Sequence, residues 1–112
     1  MKILAKYQNQ NAILRISGDI LGDARVQLNE KIQEVVEGGS KNIVLNLNEV
    51  GLMDSVGLGM LVALQTSLKR QGIQLVLSNV GKSVEYLLTI TKLNRVFDRY
   101  ETEDEALVQL QS

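Results

Sequence analysis

The run IVLNLNEVGLMDSVGLGML, Ile43 to Leu61, limits the fold of this chain more than any other segment. Its first half is apolar and β-branched, the pattern of a buried strand. Its second half carries leucines at helical spacing, with Gly57 and Gly59 in the first turns. A buried strand passing within a few residues into a helix is the joint of an α/β protein. At that joint stands the pair Asp54-Ser55.

The rest of the chain fits the same architecture. Ile3 to Tyr7 and Ala12 to Ser17 read as strands, and Gln8-Asn9-Gln10-Asn11 between them suits a hairpin turn. In the second strand Ala12, Leu14 and Ile16 share an apolar face, and Ile13, Arg15 and Ser17 take the more polar one. Gly18 to Gly22 reads as a loop. From Asp23, an N-cap candidate, Ala24, Leu28, Ile32, Val35 and Val36 form a helical stripe that stops at Gly38-Gly39. A helix is predicted over Ser55 to Gln71 with Gly72 as its stop. A strand follows at Ile73 to Leu77, and a helix at Ser83 to Thr91. A short strand is expected at Val96 to Phe97, then a last helix from Thr102 to Leu110. There Thr102 and Glu105 have capping-box spacing. The order ββαβαβα(β)α predicts one α/β domain, residues 1–112. Its mixed, mostly parallel sheet would have four to five strands, an N-terminal hairpin and about four helices.

Composition then narrows the chemistry. The chain lacks Cys and His. That removes thiol nucleophiles, Ser-His-Asp triads and His or thiolate metal sites. With no evident carboxylate pair either, the expectation is a non-enzyme with no cofactor and no metal. Net charge is −1 and the basic residues make no stripe, so no direct nucleic-acid or membrane partner is expected. No apolar run approaches the roughly 18 residues of a membrane span. No signal peptide is evident, and the expected location is cytoplasmic.

Asp54-Ser55 supports two readings. Serine is a favoured N-cap, and the glycines could serve close packing of helix on sheet. Yet each glycine in a helix costs roughly 0.5–1 kcal/mol against alanine. Such a cost fits a place where another group, a phosphate or a partner's backbone, comes close. A phosphoserine carries about −1.5 to −2 charges, which a helix N-terminus accommodates. The fold would persist while a neutral docking surface became anionic, with Asp54 adding to the repulsion of an acidic partner.

At these residues the chain resembles the STAS domains of the anti-sigma factor antagonist family. The motif VLNLNEVGLMDSVGLGML, Val44 to Leu61, carries the resemblance, and QGIQLVLSNVGKSVEYLLTITKLNRVF, Gln71 to Phe97, extends it. It covers essentially the whole chain and implies a STAS-like fold. It also implies that Ser55 is phosphorylated by a partner that is both anti-sigma factor and serine kinase. The unphosphorylated antagonist would bind that partner and free the sigma factor. Phosphorylation would end the binding, and a metal-dependent serine phosphatase would restore it. Asp54, Val56, Gly57, Leu58 and Gly59 would shape the contact, with Met53 beneath and Asp19 and Asp23 lining the neighbouring loop. Two positions depart from the family pattern. An acidic residue often lies three positions after the glycine that ends the second strand, but Gly18 leads here to Leu21. The residue after the serine is often small, but here it is Val56.

Other signals read as structure. Gly81-Lys82-Ser83 resembles the end of a phosphate-binding loop, but position 76 holds valine where that motif requires glycine. A receiver domain would need paired acids after the first strand, and none follow it. The cluster Glu101, Glu103, Asp104, Glu105 lacks the spacing and glycine of a calcium loop and fits the first turn of a helix. The competing functional reading is a STAS scaffold or subunit that is never phosphorylated. Such domains occur in lipid-transport complexes, stressosome-like assemblies and anion transporters.

Overall fold

The computed structural model describes residues 1–110. Strands β1 (Lys2–Gln8) and β2 (Asn11–Ser17) form the expected hairpin, turning through Asn9 at φ 57°. A 3₁₀ turn at Gly22–Ala24 leads into α1 (Arg25–Glu37). The chain continues through β3 (Asn42–Glu49), α2 (Ser55–Arg70), β4 (Gln74–Ser78), α3 (Lys82–Ile90), β5 (Asp98–Tyr100) and α4 (Glu103–Leu110). The five strands lie in the order β1-β2-β3-β4-β5, with β1 antiparallel to β2 and the others parallel.

The pleat sends alternate residues into two cores. Ala12, Leu14 and Ile16 of β2, Ile43, Leu45 and Leu47 of β3, and Leu75 and Leu77 of β4 face the larger one. There they meet Leu28, Ile32 and Val35 of α1, Leu58, Leu61 and Leu68 of α2, and Val84 and Leu88 of α3. Each such fully buried leucine or isoleucine is worth about 1.5–3 kcal/mol of transfer free energy. The opposite face carries a smaller core of Ile13, Val44 and Val76 beneath Ala106 and Leu107 of α4.

Ile13 shares a face with Arg15 and Ser17, as its alternation requires, but that face is buried at Ile13. The residue is 2% exposed, because α4 covers the centre of the sheet on the side where period-2 reading placed Arg15 and Ser17. The last strand also lies later than expected. Asp98–Tyr100 pairs with Val76–Ser78, whereas Phe97 is a buried core residue just before the strand and Val96 is exposed. The capping box of α4 forms one residue out of its usual frame. Thr102 Oγ1 accepts from the Glu105 N–H at 3.1 Å, but the Glu105 carboxylate accepts from Glu101. Gly39 and Gly72 close α1 and α2 at φ +94° and +77°, left-handed conformations that cost glycine nothing.

α4 is clasped to the sheet at its N-terminus. The Glu103 carboxylate accepts from Arg15 Nε at 2.8 Å and Nη2 at 2.9 Å, and from Asn46 Nδ2 at 2.6 Å. The bidentate Arg15 hydrogen bonds hold its carboxyl below the usual range; partial burial opposes this, and Asn46 assists it.

Candidate functional site

The site is built where β3 ends and α2 begins. The segment before the helix does not leave the sheet at once. Ile20 and Met53 form a parallel bridge, the Ile20 N–H donates to Leu52 O at 2.9 Å, and the Asp54 N–H reaches Ile20 O at 3.4 Å. The β2–α1 loop and the β3–α2 loop thus run side by side. Met53, 4% exposed, is anchored in the core beneath.

Asp54, with φ −93° and ψ 175°, is the N-cap of α2. Its Oδ1 accepts from the Gly57 N–H at 2.6 Å, and its backbone carbonyl accepts from the Leu58 N–H at 2.9 Å. Serine is therefore not the cap. Ser55 is the first residue of the helix and lies exposed on its outer end. The Ser55 and Val56 amides sit in the first turn, where no preceding helical carbonyl exists to accept from them. That end of the helix carries the positive pole of its dipole and favours negative charge.

The two glycines have different causes. A Cβ on Gly57 would collide with the Ile20 carbonyl. The group that needs close approach there is this chain's own β2–α1 loop, and Gly57 is buried. Gly59 is exposed with nothing within 4 Å of the place its Cβ would take. Packing within the chain gives no reason for glycine at that position. Leu58, 2% exposed, points into the core and anchors the first turn.

The loop brings Asp19 beside Gly51, the Asp19 Oδ1 lying 3.5 Å from where a Gly51 Cβ would be. Asp23 is exposed within the 3₁₀ turn and does not cap α1, whose N-cap is Ala24 with no side-chain hydrogen bond. The 3₁₀ turn intervenes between Asp23 and the helix. Gly22 packs against Val56: a Cβ on Gly22 would stand 3.1 Å from Val56 Cγ1. The bulk of Val56 is thus matched by a glycine on the facing loop.

Two exposed apolar residues flank the serine, Leu52 at 51% and Val56 at 55% exposure. Sequence reading singled out Val56 and passed over Leu52. An apolar residue in a segment that must turn from strand to helix was the available signal. Ile20 and Gly22, which position the site from 35 residues or so away in sequence, carried no local signal at all. A cavity of about 500 Å³ opens on the α4 side of the sheet, between Arg15, Asn46, Asn79 and Glu103. Ser55 does not line it.

A mixed sheet with α1, α2 and α3 on one face and α4 on the other, bearing an exposed serine on a capped helix start, defines the class of the chain as a layered α/β domain. The STAS domain family profile matches residues 2–106. The chain is 35% identical to the anti-sigma-B factor antagonist of Bacillus subtilis over 92 residues, 81% of this chain and 84% of that protein. It is 30% identical to the anti-sigma F factor antagonist of Paenibacillus polymyxa over 115 aligned positions, 99% of this chain and 96% of that one. The anti-sigma factor antagonist SpoIIAA in its unphosphorylated form superposes with a TM-score of 0.80 at 20% identity, covering 98% of this chain and 96% of that chain. This chain belongs to the STAS domain family, among the anti-sigma factor antagonists.

Proposed function

We propose that this protein is a phosphorylation-controlled antagonist. Its unphosphorylated form binds an anti-sigma factor that is also a serine kinase, and sigma factor is freed. Phosphate on Ser55 ends the binding, and a serine phosphatase restores it. The observation that carries this reading is the position of Ser55. It is exposed at the first position of α2, and the capping duty falls to Asp54. The hydroxyl is thereby left free of a structural role in the helix.

The physical consequence of phosphate here is local. The helix end and its first amides favour the added charge, so the fold is retained. A partner docked on Leu52 and Val56 would have to bury a dianion between two apolar contacts and beside the Asp54 carboxylate. Desolvation and like-charge repulsion both oppose that. Gly59 leaves room for a partner's backbone over the first turns of α2.

The test begins with intact-mass and site-mapping spectrometry of the protein from its own cells, followed by incubation with the cognate kinase and ATP. One phosphate on Ser55, constitutive binding by Ser55→Ala and weak binding by Ser55→Asp are expected. A Ser55→Asp protein that binds the kinase as tightly as wild type would sink the charge mechanism. Absence of phosphate under several growth conditions, and with the kinase in vitro, would favour an unmodified scaffold.

A further inference from the structure

The two edges of the sheet are unequal. β5 spans only three residues and packs against α4. β1 spans seven, Lys2–Gln8, and stands at the other end of the strand order with β2 as its neighbour. Its register with β2 runs unbroken from Lys2↔Ser17 to Gln8↔Asn11, without a bulge. The chain has no proline to interrupt the edge. Alternate N–H and C=O groups of such a strand point outward, ready to pair with another strand. Leu4 at 58% and Tyr7 at 52% exposure add apolar side chains to that edge. The protective devices it does carry are the charges of Lys2 and Lys6.

We propose that β1 is a self-association edge: two copies of this chain pair through antiparallel β1 strands, centred on Ala5, and join their sheets across a two-fold axis. The self-complementarity of the strand carries this inference. A two-fold axis normal to the sheet keeps each face on its own side, so even-numbered residues must oppose even-numbered ones. Three registers then pair five or more residues, centred on Leu4, Ala5 or Lys6. Centring on Leu4 sets Lys2 opposite the second copy's Lys6. Centring on Lys6 sets that lysine opposite itself. Both oppose like charges directly, which destabilises a cross-strand pair.

Centring on Ala5 avoids this and overlaps all seven residues. Ile3 then opposes the second copy's Tyr7, an aromatic and β-branched pair. Leu4 opposes Lys6, whose methylene stem can cover it while the ammonium stays in water. Lys2 opposes Gln8. The lysines thus select the register as well as weakening the contact. An edge pairing of this size lies below a standard stable interface, so the dimer exchanges with monomer and forms as concentration rises. The remaining charge repulsion is between diagonally placed lysines, and salt screens it.

The absence of cysteine makes the test direct. Directly opposed residues of an antiparallel pair have Cα atoms about 4.5–5.5 Å apart, within the range a disulfide spans. Ala5 is exposed, so Ala5→Cys should fold as wild type by circular dichroism, and on mild oxidation it should cross-link into dimers. Leu4→Cys, which keeps both lysines in place, should cross-link several-fold less. Sedimentation of the wild type should show average mass rising with concentration up to the millimolar range, more so in high salt. The double variant Leu4→Lys, Tyr7→Lys, both at exposed positions, should stay monomeric throughout. A wild type that remains monomeric would overturn the proposal. So would a double variant that still dimerises, or cross-linking that favours Leu4→Cys over Ala5→Cys.

Discussion

Asp54 holds the start of α2 through the Gly57 N–H, with 2.6 Å between carboxylate oxygen and amide nitrogen. The acid of the Asp-Ser pair therefore does the structural work, and the serine beside it is spared. Asp54→Ala should destabilise the protein by about 1 kcal/mol, the usual cost of a lost N-cap. Asp54→Asn, which keeps the acceptor oxygen, should recover most of it. Ser55→Ala should change stability by less than about 0.5 kcal/mol, as exposed substitutions do. Urea denaturation of the three variants checks this. Equal losses at 54 and 55 would contradict the assignment of the cap.

The two glycines of α2 should respond in opposite directions to alanine. Gly57→Ala puts a methyl group into the Ile20 carbonyl, a backbone atom held by the bridge to Met53. A loss of about 1–3 kcal/mol is expected from such overpacking. Gly59→Ala enters open space and should stabilise the helix by roughly 0.5–1 kcal/mol. Thermal melts of both variants decide the matter. If Gly59→Ala also weakens binding to the anti-sigma factor while raising stability, the glycine is kept there for the partner.

Gly22 and Val56 should be coupled. Gly22→Ala brings a methyl group to 3.1 Å from Val56 Cγ1 and should cost up to about 1 kcal/mol. Val56→Ala removes the obstructing atom, so the double variant should be more stable than the sum of the two losses by at least about 0.5 kcal/mol. A double-mutant cycle in urea measures the difference. Strict additivity would mean that the loop moves aside without cost.

The clasp on α4 predicts an acid sensitivity. The Glu103 carboxyl is held below its ordinary value of 4.5, chiefly by the Arg15 hydrogen bonds. A depressed carboxylate stabilises the fold fully above its unfolded value, and that contribution fades as pH falls through the lower folded value. Wild type should therefore lose stability below about pH 4.5 more steeply than Glu103→Gln, while Glu103→Gln should be the less stable protein at neutral pH. Melting temperatures across an acid series test both halves. Parallel curves for the two proteins would show that the clasp contributes nothing.

Periodicity carried most of the fold. The helical stripe from Ala24 to Val36 and the leucines of α2 each lie against one core, as their spacing requires. Capping was harder to read, because Asp54 and Ser55 are both good N-cap residues and local sequence does not choose between them. Asp23 failed as a cap for a related reason: a 3₁₀ turn and a helix start share the same preferences over so short a stretch. Ile13 lies on the face its alternation gives it, with Arg15 and Ser17, but its burial there could not be read, because nothing in β2 announces α4. β5 is set by its pairing with Val76–Ser78 more than by its own three residues. At the site, the need for glycine at 57 was visible, but its cause lay in a carbonyl 37 positions earlier, which no local pattern can show.

The lone helix on the second face of the sheet has a consequence for how the molecule opens. α4 is the last element described and seals only Ile13, Val44 and Val76, against the three helices that seal the other side. The energy needed to lift it is a fraction of that for global unfolding, so amide protons of α4 should exchange with solvent first. The central strands would stay protected on their other face during such an excursion. A brief opening of this kind lays bare apolar β-branched side chains at the middle of the sheet. Acid or loss of the Arg15 clasp would lengthen that moment, and unwanted aggregation would begin there before the serine surface is disturbed at all.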